Sequence, residues 1–291
     1  MTLMPVITKN LLIINLLVFF AQLVLEMRGI MLEHWLGLHF MLAAHYYPWQ
    51  FVSYMFLHGG FAHVFFNMFA LWMFGRIIES FWGPRRFLLF FLVCGIGAGL
   101  VQEAAQWIQY YSMGLNDYEG VMQPNGLAMP VSLYLDGWNT IGASGAVYGV
   151  LLAFGLTFPE ERMYVFPIPF SIPAKYFVIG YAVLELLMGF GGSRDGVAHF
   201  AHLGGMLFGW LLMLYWAGKL KMPSFENPFR RRSWRDIVDE QPIDGFDTDD
   251  EWNARRKARE AEVDRILDKV RKHGYGALSE REKRVLFNAG K

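Results

Sequence analysis

Six long apolar runs alternate with polar stretches over the first 217 positions, near residues 10–27, 60–80, 87–108, 141–158, 174–190 and 197–217. A helix rises 1.5 Å per residue, so each run meets or approaches the roughly 17 to 25 residues that cross a bilayer. The pattern predicts an all-α polytopic membrane protein, a six-transmembrane-helix bundle over residues 1–217. Lys9 is the one charge in residues 1–20, and no small-x-small cleavage site follows the apolar run over residues 11–25, which fits a spanning anchor better than a removed signal. Beyond residue 217 the pattern changes. Residues 218–250 read as a charged juxtamembrane linker, with Pro223, Pro228 and Arg230, Arg231 and Arg232 placed to touch anionic lipid. Residues 251–291 read as a small cytoplasmic helical hairpin. Val263, Ile266, Leu267 and Val270 form a helical stripe within residues 252–272, and Gly274 and Gly276 end it. Ser279 with Glu282 forms a capping-box pattern ahead of Val285, Leu286 and Phe287. A unit this small needs something to dock on, and its partner is not named by the sequence.

Charge sharpens the division. Of the 26 Lys and Arg, 18 lie from Gly218 onward, as do 15 of the 26 Asp and Glu, so the first three quarters of the chain are nearly charge-free. The formal net charge of +0 therefore describes neither part, and no nucleic-acid partner is expected. Cys94 is the only cysteine, in an apolar run, which leaves no disulfide framework and no thiol metal site. With the N-terminus inside, Lys9, Arg76, Arg85, Arg86, Arg162, Lys175 and the basic tail fall on the cytoplasmic side, against Arg28 and Arg194 outside. Both termini are then cytoplasmic, and the second, fourth and sixth helices run from outside to inside. The expected location is a bacterial inner (plasma) membrane.

The outer loop over residues 28–59 carries His34, Trp35, His39, Phe40, His45, Tyr46, Tyr47, Pro48 and Trp49, a set that suits a segment lying at headgroup level. Its histidines stand five and six apart with no carboxylate or cysteine completing a ligand set, so neither a metal nor a cofactor is expected. Gly95, Gly97 and Gly99 read as packing contacts, and Glu79 as a partner for an arginine or a loop cap.

Chemistry concentrates at the outer ends of three helices. Gly142-Ala143-Ser144-Gly145-Ala146-Val147-Tyr148-Gly149 surrounds a serine with small residues, and Ala201-His202-Leu203-Gly204-Gly205-Met206-Leu207-Phe208-Gly209 puts a histidine ahead of its own small-xxx-small pair. A serine and a histidine at one depth in facing helices are the minimum equipment for nucleophilic catalysis. His63 and Asn67, four apart on one helix face, fall in the same layer. Glue between helices would scatter through the bilayer, whereas a site clusters. The glycine-rich residues 189–196 are placed to act as a lid over that layer or as a plain hairpin. Glu185 is the one acid near enough to orient a histidine, though a carboxylate at a helix end also suits a headgroup contact. His199 is expected to be a solvated interfacial residue, with His202 as the base.

With these residues the membrane domain resembles the rhomboid intramembrane serine proteases. The resemblance rests on Gly142, Ser144 and Gly145 at the head of the fourth helix with Tyr148 one turn on, on His202 with Gly205 and Gly209 in the sixth, and on His63 with Asn67 in the second. It implies a serine endopeptidase that cuts transmembrane protein substrates in or near their membrane segment. Ser144 would be nucleophile and His202 general base, Tyr148 would pack on the imidazole, and the Ser144 amide with His63 and Asn67 would form the oxyanion site. Trp49 falls where the family often has a Trp-Arg pair, and Gln50 follows it, which leaves the loop's usual polar anchor unaccounted for. The alternative from another class is a catalytically inactive rhomboid-like protein that binds membrane clients for trafficking or degradation. A solute transporter is a third, disfavoured because no inverted repeat is visible.

Overall fold

A computed structural model describes residues 4–124, 126–164, 171–191 and 198–220 of one compact unit, Met1–Pro223, and residues 261–272, 276, 278–279, 281–283 and 285 of a second, Ser224–Lys291. Six long helices occupy the six apolar runs: α1 Val6–Glu26, α2 Phe61–Trp82, α3 Pro84–Ser112, α4 Ser144–Thr157, α5 Ala174–Phe190 and α6 His199–Trp216. By length and composition α1, α2 and α3 are long and apolar enough to cross a membrane.

Helix ends follow local chemistry. Gly83, at φ 83°, turns the chain into Pro84, whose fixed φ and missing N–H suit a first helical position; α3 therefore starts earlier than the apolar run suggests. α4 starts at Ser144, later than residue 141, because Gly142 sits at φ 130°, far outside helical backbone. It has 14 residues and spans about 21 Å at the helical rise, shorter than the 18-residue run expected. The first turn of α1 is capped from outside. Glu79 accepts from the Ile7 amide at 2.8 Å, the Thr8 amide at 2.7 Å and the Thr8 hydroxyl at 2.7 Å, so the carboxylate satisfies orphan donors and meets the positive end of the helix.

α6 packs between α3 and α4, and small residues make that possible. A Cβ on Gly204 would stand 3.0 Å from the Ala98 Cα and 3.1 Å from the Gly97 carbonyl oxygen. One on Gly205 would stand 1.8 Å from the Gly145 carbonyl oxygen. Gly95, Gly97 and Gly99 receive Met55, Phe208, and Leu38 with Phe51, in keeping with their reading as packing contacts. Phe74, Phe87, Phe90, Phe91, Phe154 and Met206 fill the core, while Phe65, Phe66, Ile179 and Leu187 are exposed, the inversion expected of a surface that meets lipid.

The loop between α1 and α2 is built rather than loose. Leu38–His39 pairs antiparallel with Asn139–Thr140, tying it to the segment that leads into α4. Gln50, fully buried, supplies the anchor that the sequence left unaccounted for. Its Oε1 accepts from the Tyr47 amide at 3.1 Å and the His39 amide at 3.2 Å, and its Nε2 donates to the His45 carbonyl at 2.8 Å. A carboxylate also joins the loop histidines, contrary to the expectation from spacing: Asp136 Oδ2 lies 2.8 Å from His45 Nδ1, brought there by the chain beyond α3. Both nitrogens of His39 face backbone carbonyls, of Asp136 at 3.1 Å and of Glu33 at 3.2 Å, and burial holds its imidazole below the usual pKa.

In the second unit residues 261–272 are helical, with Ile266 of the expected stripe buried and Leu267 exposed. The capping box forms: the Ser279 amide donates to Glu282 Oε2 at 2.7 Å, and the Glu282 amide to Ser279 Oγ at 3.3 Å. The Ser279 amide, with Lys269 Nζ at 3.0 Å, holds the Glu282 carboxyl down to about 2. Most of the linker over residues 218–250 lies outside the described residues.

Candidate active site

Ser144 is the first residue of α4, and the chain ahead of it is pinned. The Gly142 amide donates to the Tyr54 carbonyl at 2.9 Å, and buried Tyr54 is fixed in turn by its hydroxyl, which donates to the Gly95 carbonyl at 2.6 Å. At the first helical position the Ser144 amide has no intrahelical acceptor, so it and the helix dipole are both available to an anion.

His202 stands one turn into α6, with Nε2 2.8 Å from Ser144 Oγ. The Gly205–Gly145 contact allows this reach, because it brings the two backbones together just beyond the pair. Tyr148, one turn into α4, stacks on the imidazole with ring centroids 4.2 Å apart and planes within 7°. Gly209 is on the same face of α6, but its nearest neighbours are not on the serine helix. It meets Phe90 and Cys94 of α3, and Cys94 also fills the space beside Gly149.

His63 closes the other side. A Cβ on Gly142 would fall 2.8 Å from both Cε1 and Nε2 of His63 and 3.5 Å from Ser144 Oγ, so only glycine lets this ring lie beside the serine. The Gly59 amide donates to His63 Nδ1 at 3.3 Å, which requires that nitrogen to be bare and puts the proton of the neutral ring on Nε2, the nitrogen near Gly142. His63 is thereby set as a donor. Asn67 is buried, and its Nδ2 donates to the His63 carbonyl at 3.1 Å, with the second amide proton left over; this bond runs back along α2 and not to Ser144.

Glu185 lies against the histidines, one of the two places the sequence left open for it, and His199 departs from the solvated position expected of it. Glu185 is 3% exposed and His199 6%, so neither is at a solvated edge. Tyr148 donates its hydroxyl to Glu185 Oε1, His199 Nδ1 lies 2.7 Å from Oε2, and His202 Nδ1 lies 2.9 Å from the same oxygen. Antiparallel packing of α5 against α6 carries the end of one helix to the start of the other, a pairing that only the bundle reveals. A buried acid in an apolar helix was the available signal.

Glu185, His199 and His202 also form the group among the described residues whose ligand atoms lie within 4.8 Å of one another, close enough to consider for a metal ion. Two ligands of a tetrahedral ion at about 2.0–2.1 Å stand roughly 3.3 Å apart. The 2.7 and 2.9 Å separations here are hydrogen-bond distances instead. The stretch read as a lid divides: Gly189 and Phe190 belong to α5, and residues 192–197 lie outside the described residues.

Comparison with known proteins places the chain in a family. The rhomboid domain profile matches residues 45–219, and a family of unknown function, DUF6576, matches residues 247–288. Rhomboid protease AarA of Providencia stuartii is 27% identical over 175 residues, 57% of this chain and 55% of that protein. Rhomboid protease GluP of Bacillus subtilis is 25% identical over 162 residues, 55% of this chain and 24% of that one. Rhomboid-like protein 11, chloroplastic, of Arabidopsis thaliana is 25% identical over 236 residues, 76% of this chain and 69% of that protein. The chain thus spans about half of AarA and a quarter of GluP. With a rhomboid profile over most of its helical unit, this integral multi-pass membrane protein belongs to the rhomboid family.

Proposed function

We propose that the protein is an intramembrane serine endopeptidase that cleaves transmembrane protein substrates in or near their membrane segment. The observation that carries this reading is the 2.8 Å contact between Ser144 Oγ and His202 Nε2. As Oγ attacks the scissile carbonyl carbon, its proton passes to Nε2. The carbonyl oxygen becomes an oxyanion facing the Ser144 amide and His63 Nε2–H, with the free proton of the Asn67 amide as a third donor. Collapse breaks the C–N bond, and the imidazolium returns the proton to the leaving amine. Water then attacks the acyl-serine by the same route reversed. Such a site needs water, and the basic residues of the sequence support an outer-face opening with both termini cytoplasmic.

The test is a purified full-length protein in detergent, treated with a fluorophosphonate serine probe and assayed on a transmembrane reporter. The wild type is expected to label and cleave, and Ser144→Ala and His202→Ala to do neither while staying folded. Normal turnover by Ser144→Ala refutes the mechanism, and a folded wild type that neither labels nor cleaves indicates a client-binding protein.

A further inference from the structure

We infer that Glu185 is a positioning residue of the hydrolytic site, which makes the set a Ser144–His202–Glu185 relay in place of a dyad; this inference rests on the protease reading. A carboxylate inside an apolar bundle is costly unless paired, and this one is paired on both oxygens. Oε1 accepts from the Tyr148 hydroxyl, and Oε2 is shared between Nδ1 of His199 at 2.7 Å and Nδ1 of His202 at 2.9 Å. Tyr148 and His199 alone would satisfy a carboxylate whose role was to join helices. Its place on the far nitrogen of the ring that holds Ser144 is what such a role leaves unexplained.

Two consequences follow for His202. For Nε2 to accept the serine proton, the neutral ring must carry its own proton on Nδ1, and a carboxylate oxygen beside Nδ1 selects that tautomer. Once Nε2 is protonated the ring is a buried cation, and Oε2 is its counter-charge without taking the proton itself. In the resting structure the His202 contact is close without being a hydrogen bond, so Nδ1 has no acceptor, whereas the His199 contact to the same oxygen is one. His199 thus holds the carboxylate, and a small turn of the imidazole as it becomes cationic completes the bond to His202. Tyr148 couples the parts: it stacks on the ring at 4.2 Å and grips the other oxygen of the carboxylate it faces.

The test compares full-length wild type, Glu185→Gln and Glu185→Asp for kcat and KM on the transmembrane reporter, each rate normalised to the fraction that titrates with the fluorophosphonate. Glu185→Gln keeps the shape and loses the charge; kcat is expected to fall roughly 10²-fold with KM nearly unchanged, and Glu185→Asp to recover part of it. Wild-type kcat in Glu185→Gln overturns the assignment, as does a loss confined to KM. If Glu185→Gln does not fold, proton NMR of histidine in the phosphonylated wild type decides. A His202 Nδ1 proton shifted far downfield supports the bond to a carboxylate, and an ordinary exchanging imidazolium signal overturns it. Stoichiometric zinc in the purified protein, absent from Glu185→Gln, makes these residues a metal site and also overturns it. Failure of the protease reading looks different: the wild type itself does not react, or Ser144→Ala turns over.

Discussion

Gly205→Ala adds one methyl group where the structure has no room for it. The new Cβ would lie 1.8 Å from the Gly145 carbonyl oxygen and 2.6 Å from its carbon. These are backbone atoms within a helix, so no side chain can swing aside. An ordinary carbon–oxygen contact needs a little over 3 Å, and α4 and α6 must part by about 1.5 Å to restore it. Ser144 is one residue before Gly145, and His202 is three residues before Gly205 on the same face, so most of that displacement reaches the catalytic contact. A separation that starts at 2.8 Å then ends at about 4 Å, beyond hydrogen-bond reach. Misplacement on that scale costs roughly 10²-fold in rate. Two controls separate this from a general loss of packing. Gly209→Ala meets the end of the Phe90 ring at 2.9 Å and Cys94 Sγ at 3.1 Å, side-chain atoms in place of backbone, and Gly180→Ala has nothing within 4 Å. The assay is reporter cleavage with thermal unfolding of each detergent-solubilised variant. The expected order of activity is Gly180→Ala, then Gly209→Ala, with Gly205→Ala far below both. Wild-type kcat in a folded Gly205→Ala protein refutes the argument that this contact sets the Ser144–His202 distance.

His63→Ala is expected to lower kcat roughly 10²- to 10³-fold with little change in KM, since the donor it removes acts on charge present only in the transition state. Asn67→Ala should change in the same direction by less, because its amide is partly engaged with the His63 carbonyl. Steady-state kinetics on the reporter reads both, and a loss in KM at unchanged kcat would make them substrate-binding residues. A chain ending near Pro223, the boundary of the first compact unit, should retain detergent activity; a folded truncation that cuts nothing would place the second unit in the active machinery.

Much of this protein is written in periodicity and local chemistry. Six apolar runs give six helices because hydrocarbon leaves the backbone no other partner than itself, and that constraint acts on each segment separately. The Ser279–Glu282 cap is local in the same sense, since its two partners are three residues apart. Ser144, His202 and His63 stood out because polar groups at matching depths on facing helices are rare in apolar segments. Other features depended on contacts across dozens of residues. Gln50 anchors its loop by gathering Tyr47, His39 and His45, and residue type alone does not reveal which carbonyls and amides will be near. Gly209 shares a face with Gly205, yet its nearest neighbours are on α3, because helical phase gives a face while the packing angle decides what the face meets. Glu185 and His199 are the clearest case: as isolated residues each fits a wet helix end. The antiparallel packing of α5 on α6 buries both and brings the carboxylate to the ring that holds Ser144. The sequence by itself determined which residues must avoid lipid, because that cost is paid residue by residue; the tertiary structure decided which of them meet, because hydrogen bonds act only over a few ångströms.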